Sequence, residues 1–333
     1  MLEGMRRIKR LGWAASLVIA LYVALFIYAY WPTEPGVPAA RLAQPEDRFV
    51  ELPGIAVRYR RYGSADPTRP QILLIHGFAN SLQSFRSLAP ELANCCNVIA
   101  IDMPGYGLSD KPAKFDYHNG PQAAVMVAAA RALGFDRPIY AGHSLGGAVA
   151  LRATLQDQHA RGLILMNPGI LTTGVPKIAQ LPVPPLPRLF AKQFGDRAFR
   201  ERLLKRSYVD PSIVTPEVMD DVMIGSRTAD YLAGETSVMS QYAEGEEIPL
   251  LKQVRVPTLV LWGDQDHNKL LSESTQLAAA IDGASLVHFP DAGHYVHEEA
   301  PAAVARAIER WLTTLPVNSL AAPAAEVPAV GGR

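Results

Sequence analysis

From Gln71 onward the chain repeats one unit, a short and continuously apolar run followed by a stretch of helical pattern. The runs are QILLIH (71–76), NVIAID (97–102), PIYAGH (138–143), GLILMN (162–167), PTLVLWG (257–263) and ASLVHF (284–289). Strands that are apolar on successive positions need cover on both faces, as in a parallel sheet. The spacers supply that cover through helical patterns at Leu82–Ala93, Gly120–Leu133, Leu145–Gln158, Lys269–Ile281 and Pro301–Thr313. Strand–helix alternation of this kind predicts a three-layer α/β sandwich. Ahead of it, two short runs, Phe49–Leu52 and Ile55–Arg61, meet at Pro53-Gly54, a turn signal that predicts an antiparallel hairpin. The expectation is a mostly parallel eight-stranded sheet flanked by helices.

The alternation lapses between Asn167 and Leu251. That stretch holds LPVPPLPRLF (181–190) and charged amphipathic segments near 196–207 and 216–245. It is too long for a structureless connection, so a helical cap inserted after strand 6, over the carboxyl ends of the strands, is expected at 168–250. The sandwich core then comprises 48–167 and 251–314. Residues 32–47, rich in Pro and Ala, read as a linker. The aperiodic Ala/Pro/Val/Gly tail, 315–333, reads as disordered.

The N-terminus is of another kind. Arg6, Arg7, Lys9 and Arg10 precede an uncharged apolar run, Leu11–Trp31, long enough to cross a hydrocarbon layer of roughly 30 Å as a helix. Tyr28, Tyr30 and Trp31 cluster at its far end, where amphipathic rings favour the membrane interface, and Pro32 and Pro35 stop the helix. A cleaved signal peptide has a shorter apolar core and a small-residue cleavage site; Pro38-Ala39-Ala40 is a weak candidate for one. Residues 1–31 are therefore expected to form an uncleaved membrane anchor. The basic flank keeps the N-terminus cytoplasmic and places the rest of the chain on the extracytoplasmic side. Lys+Arg and Asp+Glu balance at 32 each, without the basic footprint of a nucleic-acid binder. The two cysteines, Cys95 and Cys96, are adjacent; a disulfide between them would be strained and they supply no zinc pattern. No metal and no cofactor is implied.

The chemistry concentrates where PIYAGH runs through GHSLGG into the apolar helix LGGAVALRATLQ. Gly-x-Ser-x-Gly between a buried strand and a helix is the signature of a nucleophile elbow, a strained turn that exposes the serine hydroxyl at the sheet edge. Ser144 is the expected nucleophile. Serine needs a positioned base, and His294 of Asp291-Ala292-Gly293-His294 follows the last strand. The base needs an orienting carboxylate; Asp266, after the preceding strand, is the choice, with Asp264 as the rival acid and His297 as the rival base. Developing charge on a carbonyl oxygen needs fixed donors. The backbone N–H of Leu145 is one, and the loop His76-Gly77-Phe78-Ala79 supplies the other through Phe78. His76 reads as structural, and His118, His159, His267 and His288 each read as solvated or structural.

HGF (76–78), DMPGYGLSDKP (102–112), GHSLGG (142–147), WGDQD (262–266) and DAGH (291–294) occur in this order, and with them the chain resembles the α/β-hydrolase family with an inserted cap over about 48–314. The resemblance implies a Ser144–His294–Asp266 triad and leans toward carboxylesterases and monoacylglycerol-type lipases. One departure is Leu270, where many relatives carry Pro or Asp four residues after the acid. The resulting expectation is hydrolysis of a small, lipophilic ester through an acyl-enzyme. Carbon–carbon bond hydrolysis and cofactor-free perhydrolysis use the same triad, and a non-catalytic membrane-tethered binding protein is the reading from a different class.

Overall fold

The computed structural model describes residues 2–316 other than 65, 67, 174, 176, 177, 179, 180, 243 and 244, with side chains from residue 10 onward. The tail expected to be disordered lies, from residue 317, outside the described residues.

Eight strands form one sheet: β1 (Arg48–Leu52), β2 (Ile55–Tyr62), β3 (Gln71–Ile75), β4 (Asn97–Ile101), β5 (Pro138–His143), β6 (Gly162–Met166), β7 (Thr258–Gly263) and β8 (Ser285–Phe289). Their spatial order is β1-β2-β4-β3-β5-β6-β7-β8. β1 and β2 form the expected hairpin, turning through Gly54 at φ +80°, and β2 runs antiparallel to β4. The remaining pairs are parallel. The order reverses beside β3, which separates β4 from β5. Such a switch point leaves a crevice at the carboxyl ends of the strands.

Eleven helices accompany the sheet among the described residues. α1 (Leu2–Tyr30) precedes it. α2 (Leu88–Leu92), α3 (Asn119–Ala132), α4 (Leu145–Gln156), α9 (Leu271–Ala280), α10 (Val296–Glu299) and α11 (Pro301–Thr314) flank it. α5 (Leu186–Phe194), α6 (Arg197–Ser207), α7 (Pro216–Val222) and α8 (Tyr231–Ser240) form the helical insertion after β6. Period-2 geometry divides each central strand between two cores. Leu73, Ile75, Ile99, Tyr140, Leu165 and Trp262 pack with α3 and α4. Ile72, Leu74, Val98, Ile139, Ile164 and Leu261 pack with α2 and α11.

Three details differ from the pattern in the sequence. The helix expected at Leu82–Ala93 is a 3₁₀ turn, Leu82–Phe85, followed by the short α2; Pro90 has no N–H for the Arg86 carbonyl, so a continuous helix cannot cross that point. β8 is half exposed along most of its length because it is the sheet edge, with β7 as its one neighbour. The segment after α1 is held to the insertion: Val37 N–H donates to Arg227 O at 2.9 Å, and Ala229 N–H donates to Val37 O at 3.0 Å.

Candidate active site

β5 ends at His143 and α4 begins at Leu145, so one residue makes the whole turn. Ser144 takes φ +50° and ψ −120°, a region that costs a non-glycine residue on the order of 1–3 kcal/mol and survives only where its surroundings enforce it. Here they do. Ser144 N–H donates to Met166 O at 3.1 Å, and its own carbonyl accepts from Gly147 N–H at 2.9 Å and Gly169 N–H at 2.7 Å. A Cβ on Gly142 would collide with the Gly146 carbonyl, and one on Gly146 would collide with the carbonyls of Ile75 and His76. Glycine at both positions is therefore a steric demand of the turn.

The loop after β8 carries His294. Its Nδ1 donates to Asp266 Oδ2 at 2.7 Å. The same oxygen accepts from Asn167 Nδ2 at 2.9 Å, while Oδ1 accepts from the N–H groups of Asn268 at 2.7 Å and Lys269 at 3.2 Å. Burial by itself would push the Asp266 carboxyl up; the imidazole and these donors outweigh it and hold the group below the usual carboxylate range. Asp264 is directed elsewhere and accepts from His288 Nδ1 at 2.6 Å on a partly exposed surface. His297 is fully buried, with Nε2 2.8 Å from Ser84 Oγ. Burial first, then the charge of Arg86, pushes it down to about 3.

Ser144 and His294 line one cavity of about 220 Å³ between the sheet and the insertion. No hydrogen bond leaves the Ser144 hydroxyl toward any described residue; nucleophile–base contacts are often loose until substrate arrives. The cavity wall is mainly apolar and includes Phe78, Phe190, Phe194, Phe199, Leu203 and Leu204. The N–H groups of Phe78 and Leu145 have no acceptor among the described residues. Leu145 is the first residue of α4, so its N–H is one of the unbonded donors at the positive end of the helix.

His76 is fully buried, with Nδ1 2.8 Å from Gly77 O and Nε2 accepting from Met103 N–H at 3.1 Å. A ring that donates on one nitrogen and accepts on the other is neutral, and burial lowers its affinity for a second proton. It braces the HGF loop against the loop after β4. That second loop is secured by Asp102, whose Oδ1 accepts from Leu82 N–H at 2.6 Å and Oδ2 from Leu108 N–H at 2.8 Å.

The sequence reading missed three residues here. Asn167, at φ +39°, bonds Asp266 and also accepts from Gly263 N–H at 2.9 Å; its position directly after β6 was the available signal. Asn268 binds Asp266 through its main chain and Ser207 Oγ through Nδ2 at 3.1 Å. Arg200, on α6, is 4% exposed and lines the cavity. It donates from Nη2 to Ala79 O and lies over the Phe194 ring at 5.2 Å. No carboxylate among the described residues is within ion-pair distance of it. One arginine among several in a basic amphipathic segment carries no sequence mark of this placement.

A three-layer sheet with a serine at the β5–α4 turn, a paired Asp and His after β7 and β8, and a helical insertion above them defines a class of protein. The profile of the alpha/beta hydrolase fold matches residues 70–301, and the chain belongs to that family. It is 27% identical over 271 residues to the uncharacterized hydrolase YugF of Bacillus subtilis, covering 80% of this chain and 98% of that protein. Among solved structures, Cfl2 from Burkholderia cenocepacia superposes with a TM-score of 0.71 at 22% identity, covering 84% of this chain and 99% of the other. A membrane phospholipase A described as a bacterial virulence factor superposes with a TM-score of 0.68 at 24% identity, covering 91% and 98%.

Proposed function

We propose that this chain is a serine hydrolase that cleaves carboxylic esters of lipophilic acyl chains. The observation that carries the reading is that Ser144, His294 and Phe78 line one apolar cavity, with Asp266 bonded to His294 Nδ1 behind it and Leu145 directly after the serine at the start of α4. In this mechanism Ser144 Oγ attacks the ester carbonyl while His294 Nε2 takes its proton. Asp266 fixes the ring with Nδ1–H toward the carboxylate and stabilises the imidazolium. The two amides receive the carbonyl oxygen as it becomes negative. His294 returns the proton to the departing alcohol, leaving an acyl-Ser144 ester, and water activated by the same histidine releases the acid. The aromatic and leucine wall suits an acyl chain by area burial, worth about 0.8 kcal/mol per methylene.

Labelling by a fluorophosphonate probe, lost in Ser144→Ala, tests the nucleophile. A panel of p-nitrophenyl esters of increasing chain length tests the substrate class. A folded chain that neither labels nor turns over any ester would leave the binding-protein reading standing. A second reading, hydrolysis of a carbon–carbon bond in an anionic diketone, draws on Arg200, a cation in the cavity wall with no carboxylate at ion-pair distance among the described residues. Cleavage of such a diketone with no ester turnover would favour it. Perhydrolysis has no structural feature in its favour beyond the shared triad.

The N-terminal helix fits an uncleaved signal anchor. Arg10–Tyr30 is 21 residues long with mean hydropathy 2.1, and its side chains are exposed apart from Ala29. The catalytic domain is then extracytoplasmic, and protease added to intact spheroplasts should digest it; full protection would reverse the topology.

A further inference from the structure

The anchor helix is joined to the insertion. The last carbonyls of a helix lack intrahelical partners and form its negative end. In α1 they are met by two cations of α5: Lys192 Nζ donates to Tyr28 O at 2.7 Å and Trp31 O at 3.3 Å, and Arg188 Nε donates to Ala29 O at 3.0 Å. The same side chains lie over the rings of Tyr28 and Tyr30 at 4.4 and 4.9 Å. One contact reaches further down the anchor, where Tyr22 Oη donates to Pro184 O at 3.0 Å.

That contact fixes a depth. At 1.5 Å per residue, Tyr22 lies about 12 Å below Tyr30 along the helix. The 21-residue span is about as long as the hydrocarbon layer is thick, roughly 30 Å, so it has little slack to slide outward. With Tyr28, Tyr30 and Trp31 at the interface, Pro184 falls below the headgroups and the two cations fall among them.

The strap containing Pro184 suits that place chemically. Leu181–Pro187, LPVPPLP, has no charged or hydrogen-bonding side chain and four prolines without N–H groups. Of its three amide N–H groups two are bonded locally, Leu181 to Ile178 O at 3.4 Å and Leu186 to Val183 O at 2.9 Å. Hydrocarbon tolerates backbone only where its polar groups are satisfied or missing. Ile178, Leu181 and Val183 are 59%, 47% and 55% exposed, a large apolar exposure for a surface facing water.

We propose that the strap Leu181–Pro187 is inserted in the leaflet on the catalytic domain's side, beside α1, with Arg188 and Lys192 at the lipid phosphates. This rests on the reading of α1 as a membrane span. The strap runs directly into α5, whose Phe190 and Phe194 wall the cavity. The insertion is thereby held at the surface where lipophilic esters reside, and a chain moving from the leaflet meets α5 on its way to Ser144.

The test uses the full chain in phosphatidylcholine vesicles with a nitroxide on Val183→Cys, in a Cys95→Ser/Cys96→Ser background. Asp136→Cys, exposed in the loop after α3, serves as the aqueous control. The expected result is collision of the strap label with oxygen and shielding from a water-soluble nickel chelate, with the control label reversed. A strap label as accessible to nickel as the control, in a chain that resists carbonate extraction, overturns the strap insertion while the anchor stands. A chain that carbonate extracts overturns the anchor reading and the insertion with it. Independently, Val183→Asp should lower turnover of a long-chain ester in vesicles at least tenfold and change turnover of a short soluble ester less than twofold. Equal loss on both substrates, or on neither, counts against the insertion.

Discussion

The β5–α4 elbow and the helical insertion above it both shape the same cavity, but they are built to different tolerances. Most of α4 is buried, including Gly146 and Gly147 at the turn, and Ser144 is fixed by main-chain bonds from three directions. α6 buries Arg200, Leu204 and Ser207 and leaves the rest of its length partly or fully exposed. A close-packed interior transmits any added atom as strain, whereas a half-exposed helix can shift. On the proposed function, the parts that must hold a reacting atom to within a fraction of an ångström sit in the first environment, and the parts that would select a chain sit in the second.

The sharpest way to break this contrast is Gly146→Ala. The added Cβ meets two main-chain carbonyls that cannot retreat, and a loss of ~4 kcal/mol or more is expected, as for other large backbone and packing conflicts. A thermal melt within a few degrees of the parent, with probe labelling retained, would show the elbow to be as yielding as the insertion. Next in size, Asp266→Asn should keep the fold and lower kcat by ~10³–10⁴-fold, because the ring loses its orienting acceptor. A drop smaller than tenfold in steady-state ester kinetics would assign the orienting role elsewhere.

Acid should also separate the regions. His297 sits at about 3 in the folded chain, below its unfolded value near 6.5, so between these values the unfolded state binds more protons. Its contribution is complete above pH 6.5 and declines as pH falls, by about 1.4 kcal/mol per unit at most. His143, lowered by burial and then by the neighbouring histidines, acts in the same direction. Asp266 opposes neither trend at neutral pH, since its lowered value delays loss of its own contribution to more acid conditions. Denaturant titrations at pH 7, 6 and 5 should show this fall, and His297→Gln should flatten it; parallel curves for the two proteins would remove His297 from the account. The smallest expected effect lies in the insertion. Phe194→Ala should change kcat/KM for the preferred chain length by ~10-fold and move the preference toward longer chains, with little change in melting temperature. An unaltered chain-length profile would place the acyl chain elsewhere in the cavity.

Legibility in the sequence followed the same division. The central strands could be read because burial on both faces writes continuous apolar runs, and Ser144 could be read because the turn admits glycine at 142 and 146. His294 and Asp266 followed from their positions after consecutive strands. Asn167 and Arg200 could not be found this way, since nothing local requires an amide after β6 or distinguishes one arginine of α6. The break at Arg86–Ser87 has its local mark in Pro90, which cannot donate to the Arg86 carbonyl.

The sequence by itself determined the alternating strands and helices, the elbow with its serine, and an apolar N-terminal run long enough to span a bilayer, because each depends on contacts or chemistry within a few residues. The tertiary structure decided which carboxylate holds His294, which cation enters the cavity wall and where α1 comes to rest. Those depend on groups far apart in the chain, as Lys192 and Tyr28 or Asn167 and Asp266 are, and only the path of the backbone through space brings them within bonding distance.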